Sequence, residues 1–170
     1  MHSGGPDSSK RQDRPDRARA FHEAGHAVVC VLEGKPLSIV SMTGGTHIPE
    51  PEEVWPNDFW GVRVALAGFV ADYISSGDSE PLTVGRLATG AGTPGAEHDF
   101  MHARRLASQA MDFSFTPDAI RDCLLEQMEE VRRILEKHWP AVQLVAAELS
   151  AAGELTGKQV AEFVGQPGAS

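Results

Sequence analysis

Apolar residues recur along most of this chain at helical spacing. Phe21, Ala24, Gly25, Val28 and Leu32 form one stripe, which predicts an amphipathic helix of about four to five turns. Asp13 or Asp16 is placed to cap its start, and Gly34 followed by Pro36 to end it. Residues 37–42, with Leu37, Ile39 and Val40, suit a short strand closed by Gly44 and Gly45. Residues 48–57 contain Pro49, Pro51 and Pro56 and read as a loop. From about 58 to 75 the sequence is apolar nearly all round, which predicts a buried central helix. Residues 76–95 are rich in Gly, Ser, Thr and Pro and read as a long loop.

A third helix is expected from about 94 to 111. Thr116 as N-cap and Pro117 at the first helical position open a fourth, with the stripe Ile120, Leu124, Met128, Val131 and Leu135. Pro140 ends it and can begin a fifth helix through Leu149, and Thr156 with Gln159 reads as the capping box of a last short helix. The fold class that follows is mainly α with a small β element. Residues 1–17, polar and rich in Pro, Asp and Arg, read as a disordered N-terminal tail. Residues 18–165 then form one domain, with a short C-terminal tail at 166–170.

Composition narrows the function classes. A length of 170 residues is enough for one real core, and 41% hydrophobic with 23% charged residues is ordinary for a soluble globular protein. The formal net charge is −9 and the basic residues form no stripe, so nucleic acid is not an expected partner. The two cysteines, Cys30 and Cys123, make no C-x-x-C pair and fall at apolar helical positions. They are expected to be buried structural thiols in a reducing compartment. Residues 1–20 show no apolar leader, and the longest apolar run, 62–74, is interrupted by Arg63 and Asp72. No membrane partner and a cytoplasmic location are therefore expected.

The chemistry is concentrated at His22-Glu23-Ala24-Gly25-His26. Residues four apart on a helix lie one above the other, so the two imidazoles can grip one metal ion. Glu23, on a neighbouring part of that face, is placed to take a proton from a metal-bound water. This is the H-E-x-x-H arrangement of zinc-dependent peptidases. The plain alternative is two polar histidines beside a packed stripe. Gly25 costs about 1 kcal/mol against Ala in a helix interior, which suggests a close approach of another backbone or a ligand.

A site of this class needs a third protein ligand. Asp99 shares the apolar face of the third helix with Ala103, Leu106 and Ala110. A carboxylate aimed at a core is costly unless it meets a cation or a metal. His98 and His102, also four apart, are alternatives as ligands or as surface residues. A ligating histidine usually donates its other ring nitrogen to a carboxylate or carbonyl, and Glu97 or Asp72 could serve. His47 is either an ordinary loop histidine or a residue near substrate.

The same segments resemble a known family. Residues 21–28 (FHEAGHAV) look like the zinc motif of the FtsH-type ATP-dependent metalloproteases, and residues 65–74 (ALAGFVADYI) are similar to their small-residue helix. Residues 95–103 (GAEHDFMHA) resemble their segment carrying the third zinc ligand, and 142–160 their C-terminal helical region. The resemblance implies a mostly helical peptidase domain binding Zn2+ through His22, His26 and Asp99. It also implies a strand near the metal that offers its edge to an extended polypeptide substrate. Here that strand is 37–42, with Ser38, Ile39, Val40, Ser41 and Met42 as the substrate-binding residues.

The family couples its peptidase to an unfoldase module and a membrane anchor, and this sequence shows no Walker A motif and no transmembrane run. A stand-alone, ATP-independent domain would cut unfolded segments or use an unfoldase or adaptor in trans, and a homo-oligomer is a further possibility because the family domain packs in a ring. The expected function is a zinc metalloendopeptidase with Glu23 as general base. The alternatives are a catalytically silent peptide- or partner-binding module and a zinc hydrolase acting on a non-peptide amide.

Overall fold

The computed structural model describes residues 9–48, 57–89, 95–111 and 116–165. Seven helices and three short strands follow in the order α1 (Ser9–Leu32), β1 (Ile39–Ser41), β2 (Gly45–His47), α2 (Trp60–Ser76), α3 (Val84–Ala88), α4 (Ala96–Ala110), α5 (Pro117–Lys137), α6 (Trp139–Ala152), β3 (Glu154–Thr156) and α7 (Gly157–Val164). The architecture is mainly α with a small antiparallel sheet, as the periodicity predicts.

α2 is the central element. Nearly every residue from Val62 to Asp72 is buried, and α1, α4 and α5 pack around it. The tightest approach is between α1 and α2. A Cβ on Gly25 would stand 2.6 Å from the Ala67 carbonyl oxygen and 2.7 Å from the Ala71 Cβ. Gly25 is the residue that lets the two backbones meet, so the close approach suggested by its place in the pentad is to a backbone. Cys30 and Cys123 are both buried and unpaired, and burial pushes the Cys30 thiol up to about 11.

Several boundaries follow the capping chemistry. The α1 terminus has the Gly34 N–H donating to the Val31 carbonyl and the Lys35 N–H to the Cys30 carbonyl. Gly34 adopts a φ of +67°, the left-handed turn that glycine accepts most easily. The Thr116 side chain accepts from Ala119 N with Pro117 at the helix start, and Thr156 and Gln159 form a reciprocal capping box.

Four expectations need correction. α1 begins at Ser9, so residues 9–17 are helical rather than tail, with residues 1–8 outside those described, and neither Asp13 nor Asp16 is a cap; the Lys, Arg and Gln of this stretch are good helix formers, a preference that the tail reading passed over in favour of polarity. The 76–95 loop contains α3, started by the Thr83 side chain accepting from Arg86 N. Residues 45–47, which include His47 read as a loop residue, form strand β2, and residues 154–156 form strand β3.

The fourth correction concerns β1. The sheet order is β2-β1-β3, with Val40 opposite both Thr46 and Leu155. Ser38 N–H donates to the His47 carbonyl, Gly157 N–H to the Ser38 carbonyl and Met42 N–H to the Gly153 carbonyl. The segment Ser38, Ile39, Val40, Ser41 and Met42 is therefore the sheet's interior. It has no open edge to offer an added peptide. No helix among the described residues is long and apolar enough to cross a membrane.

Candidate metal centre

α1, α2, α4 and the β1–β2 hairpin enclose a cleft of about 490 Å³. α1 supplies His22, Glu23 and His26, all buried. They face inward because Gly25 brings this turn of α1 against α2. α2 supplies Gly68 at the same level. A Cβ there would stand 2.4 Å from His26 Nε2 and 2.6 Å from His22 Nε2, so only glycine leaves room for both rings. α4 supplies Asp99 from its first turn.

Three donor atoms converge. His22 Nε2 lies 3.0 Å from Asp99 Oδ2, His26 Nε2 lies 3.3 Å from the same oxygen, and the two Nε2 atoms are 3.2 Å apart. Ligands at about 2.0–2.1 Å from one tetrahedral ion stand roughly 3.3 Å from each other. The triangle thus has the dimensions of three corners of such a site, and these three are the residues able to hold a metal among those described.

The outer ring nitrogens are also engaged. His22 Nδ1 is 2.8 Å from Asp72 Oδ2, and His26 Nδ1 is 2.6 Å from the Val64 carbonyl oxygen. Both partners accept, so Nδ1 of each ring donates outward and Nε2 is the nitrogen that would turn its lone pair to a metal once one displaces the bridging proton. Asp72 is the second partner that the sequence left open beside Glu97.

The electrostatics point the same way. Burial alone would lower the His22 imidazole, but its bonds to Asp72 and Asp99 dominate together and hold it up at about 9. Burial alone would raise Asp99, but His22 and His26 hold it below the ordinary carboxylate range. Both shifts express one need: two poorly hydrated carboxylates require a cation between them. A proton on His22 meets that need, and a divalent ion meets it with more charge.

Glu23 sits beside this triad. Its Oε2 accepts a 2.9 Å hydrogen bond from the Thr46 hydroxyl. The sheet register makes this contact: Thr46 lies opposite the fully buried Val40, so its side chain points down at α1. The carboxylate is fixed in orientation and lines the cleft with the three candidate ligands.

The remaining expected residues divide clearly. His98 and His102 line the cleft but are not among the converging donors. His47 is exposed and does not line it, and neither do Ser38, Ile39, Val40, Ser41 or Met42. The strand that does border the cleft is β2, through Gly45 and Thr46. Sequence reasoning did not single out Thr46, Arg19, Gly68 or Trp60, all of which border the cleft or its ligands. Gly68 had a signal, since a glycine inside an apolar helix asks for a close neighbour. Arg19 had one too, lying four residues before Glu23 and so on its face. Thr46 had none, because its contact depends on register. No family model matches this sequence, and no curated protein matches it.

Proposed function

We propose that this protein is a zinc-dependent metalloendopeptidase of the FtsH-like kind, acting on extended or unfolded polypeptide. The observation that carries the reading is the convergence of His22 Nε2, His26 Nε2 and Asp99 Oδ2 beside an oriented Glu23 carboxylate. A zinc ion in that triangle would supply Lewis acidity, lowering the pKa of a water towards about 7 and polarising a carbonyl oxygen.

The protein's own groups do the rest. Asp72 and the Val64 carbonyl fix the two imidazoles. Thr46 holds Glu23 so that one carboxylate oxygen is engaged and the other remains available to accept the proton of the attacking water. Glu23 then delivers that proton to the departing amine nitrogen. Trp60, Val64, Ala65 and Leu106 give the cleft an apolar wall suited to a substrate side chain. Because β1 is enclosed on both sides, an extended substrate would pair with the outer edge of β2, the strand bordering the cleft.

The test is cleavage of a disordered protein such as casein by the zinc-loaded protein. Chelator-sensitive cleavage is expected, and Glu23→Gln should keep the metal and lose at least about a thousandfold in rate, since it removes the proton acceptor from the reaction. Undiminished turnover in that variant would sink the assignment. Intact metal binding with no turnover in the wild type would favour a silent peptide-binding module.

A further inference from the structure

One charged group in the cleft has no task in the chemistry described so far. Arg19 projects from α1 one turn before Glu23 and is the only Lys or Arg among the described residues lining the cleft. Its Nη2 approaches Glu23 Oε1 only to 3.9 Å, outside hydrogen-bonding range. Its Nε is buried and has no partner among the described residues. The side chain as a whole keeps 31% exposure, so the guanidinium is reachable from the cleft while one N–H is shut away from water.

A buried N–H of this kind is costly when left without an acceptor, and Arg offers five donors in a planar fork that matches a carboxylate. Of the described acids, Glu23 makes only a long ion pair with it and none accepts a hydrogen bond from it. Glu23 is held by Thr46 and Asp99 by the two histidines.

We propose that Arg19 reads a carboxylate on the bound polypeptide, giving the cleft a preference for acidic substrates, through either an Asp or Glu residue or a free C-terminal carboxylate. This rests on the peptidase reading for its substrate class. The net charge of −9 makes long-range attraction of acidic polypeptides unfavourable. The preference must therefore arise by contact, and it should stand or fall with one residue.

The experiment measures binding, apart from turnover. Full-length protein is held in chelator, so that neither cleavage nor a metal-bound carboxylate contributes. Anisotropy is recorded with three labelled decapeptides built from Ala, Ser and Leu. One carries a central Glu and an amidated end, one a central Gln and a free C-terminus, and one a central Gln and an amidated end.

At least one carboxylate peptide should bind about tenfold more tightly than the neutral peptide, the effect of one charge-assisted pair. Which of the two does so identifies the source of the carboxylate. Arg19→Gln should bring the three peptides to within about twofold, and Arg19→Lys should keep part of the preference as a point charge. Circular dichroism checks that both variants fold. Equal binding of all three peptides, no measurable binding of any, or a preference that survives Arg19→Gln would overturn the proposal. Cleavage of casein by the zinc-loaded wild type is scored separately. Its absence would overturn the peptidase reading while a positive Arg19 result still marked a carboxylate-selective peptide site.

Discussion

Along the outer face of α5, Arg132 reaches Glu129 and Glu136 at 2.9 Å each, and Arg121 reaches Asp118 and Asp122 at 2.9 and 3.0 Å. In the cleft, His22 reaches Asp72 and Asp99 at 2.8 and 3.0 Å. The distances are the same and the physics is opposite. The α5 charges are solvated, helix-local pairs whose partners water can replace. The cleft charges are buried apart from a half-buried Asp99, are drawn from α1, α2 and α4, and would be unstable without a cation at their centre. The difference identifies a site: ion pairs of equal length become informative only where solvent cannot share the charge.

Gly68→Ala should disturb the cleft cluster most. Its Cβ would fall within 2.7 Å of both imidazoles, which are fixed by Asp72 and Val64 and cannot both retreat. Metal affinity should drop at least about a hundredfold, and the fold should lose about 2–3 kcal/mol through overpacking. Calorimetry and chemical denaturation would check both.

The second test is pH. His22 has a folded-state pKa of about 9 against an ordinary 6.5. In chelated protein its contribution is fully present below pH 6.5 and is lost as pH rises through about 9, an effect of the order of 3 kcal/mol. The melting temperature of the metal-free protein should therefore fall across that window. Added metal should flatten the fall, because the ion replaces the proton as the central cation.

Asp72→Asn is gentler. It keeps the shape and removes the charge behind His22, and should weaken metal binding about 10- to 100-fold without loss of fold, as a titration with zinc would show. Arg132→Ala, on the solvated side, should change stability by no more than about 0.5 kcal/mol in chemical denaturation. A large effect there would erase the contrast drawn between the two clusters.

Much of this arrangement was legible in the sequence because it is carried by helical periodicity. His22 and His26 share a face by their spacing, and Asp99 stood out as an acid on an apolar stripe. α2 was readable as the buried element, and Thr116, Thr156 and Gly34 marked helix ends through local chemistry that needs no tertiary information. What escaped reading depends on contacts distant in sequence. β3 pairs with β1 across more than a hundred residues, and nothing local in residues 37–42 tells a central strand from an edge. The Thr46–Glu23 bond follows from register, and register was invisible. α3, at five residues, is too short for a periodic signal.

Elemental analysis of the purified, untagged protein beside Asp99→Ala bears most directly on the metal centre. About one zinc per wild-type molecule is expected, with affinity lost or weakened at least about tenfold in the variant. No metal in the wild type, even after incubation with zinc, would contradict a metal centre and leave His22, His26 and Asp99 as a proton-bridged structural cluster.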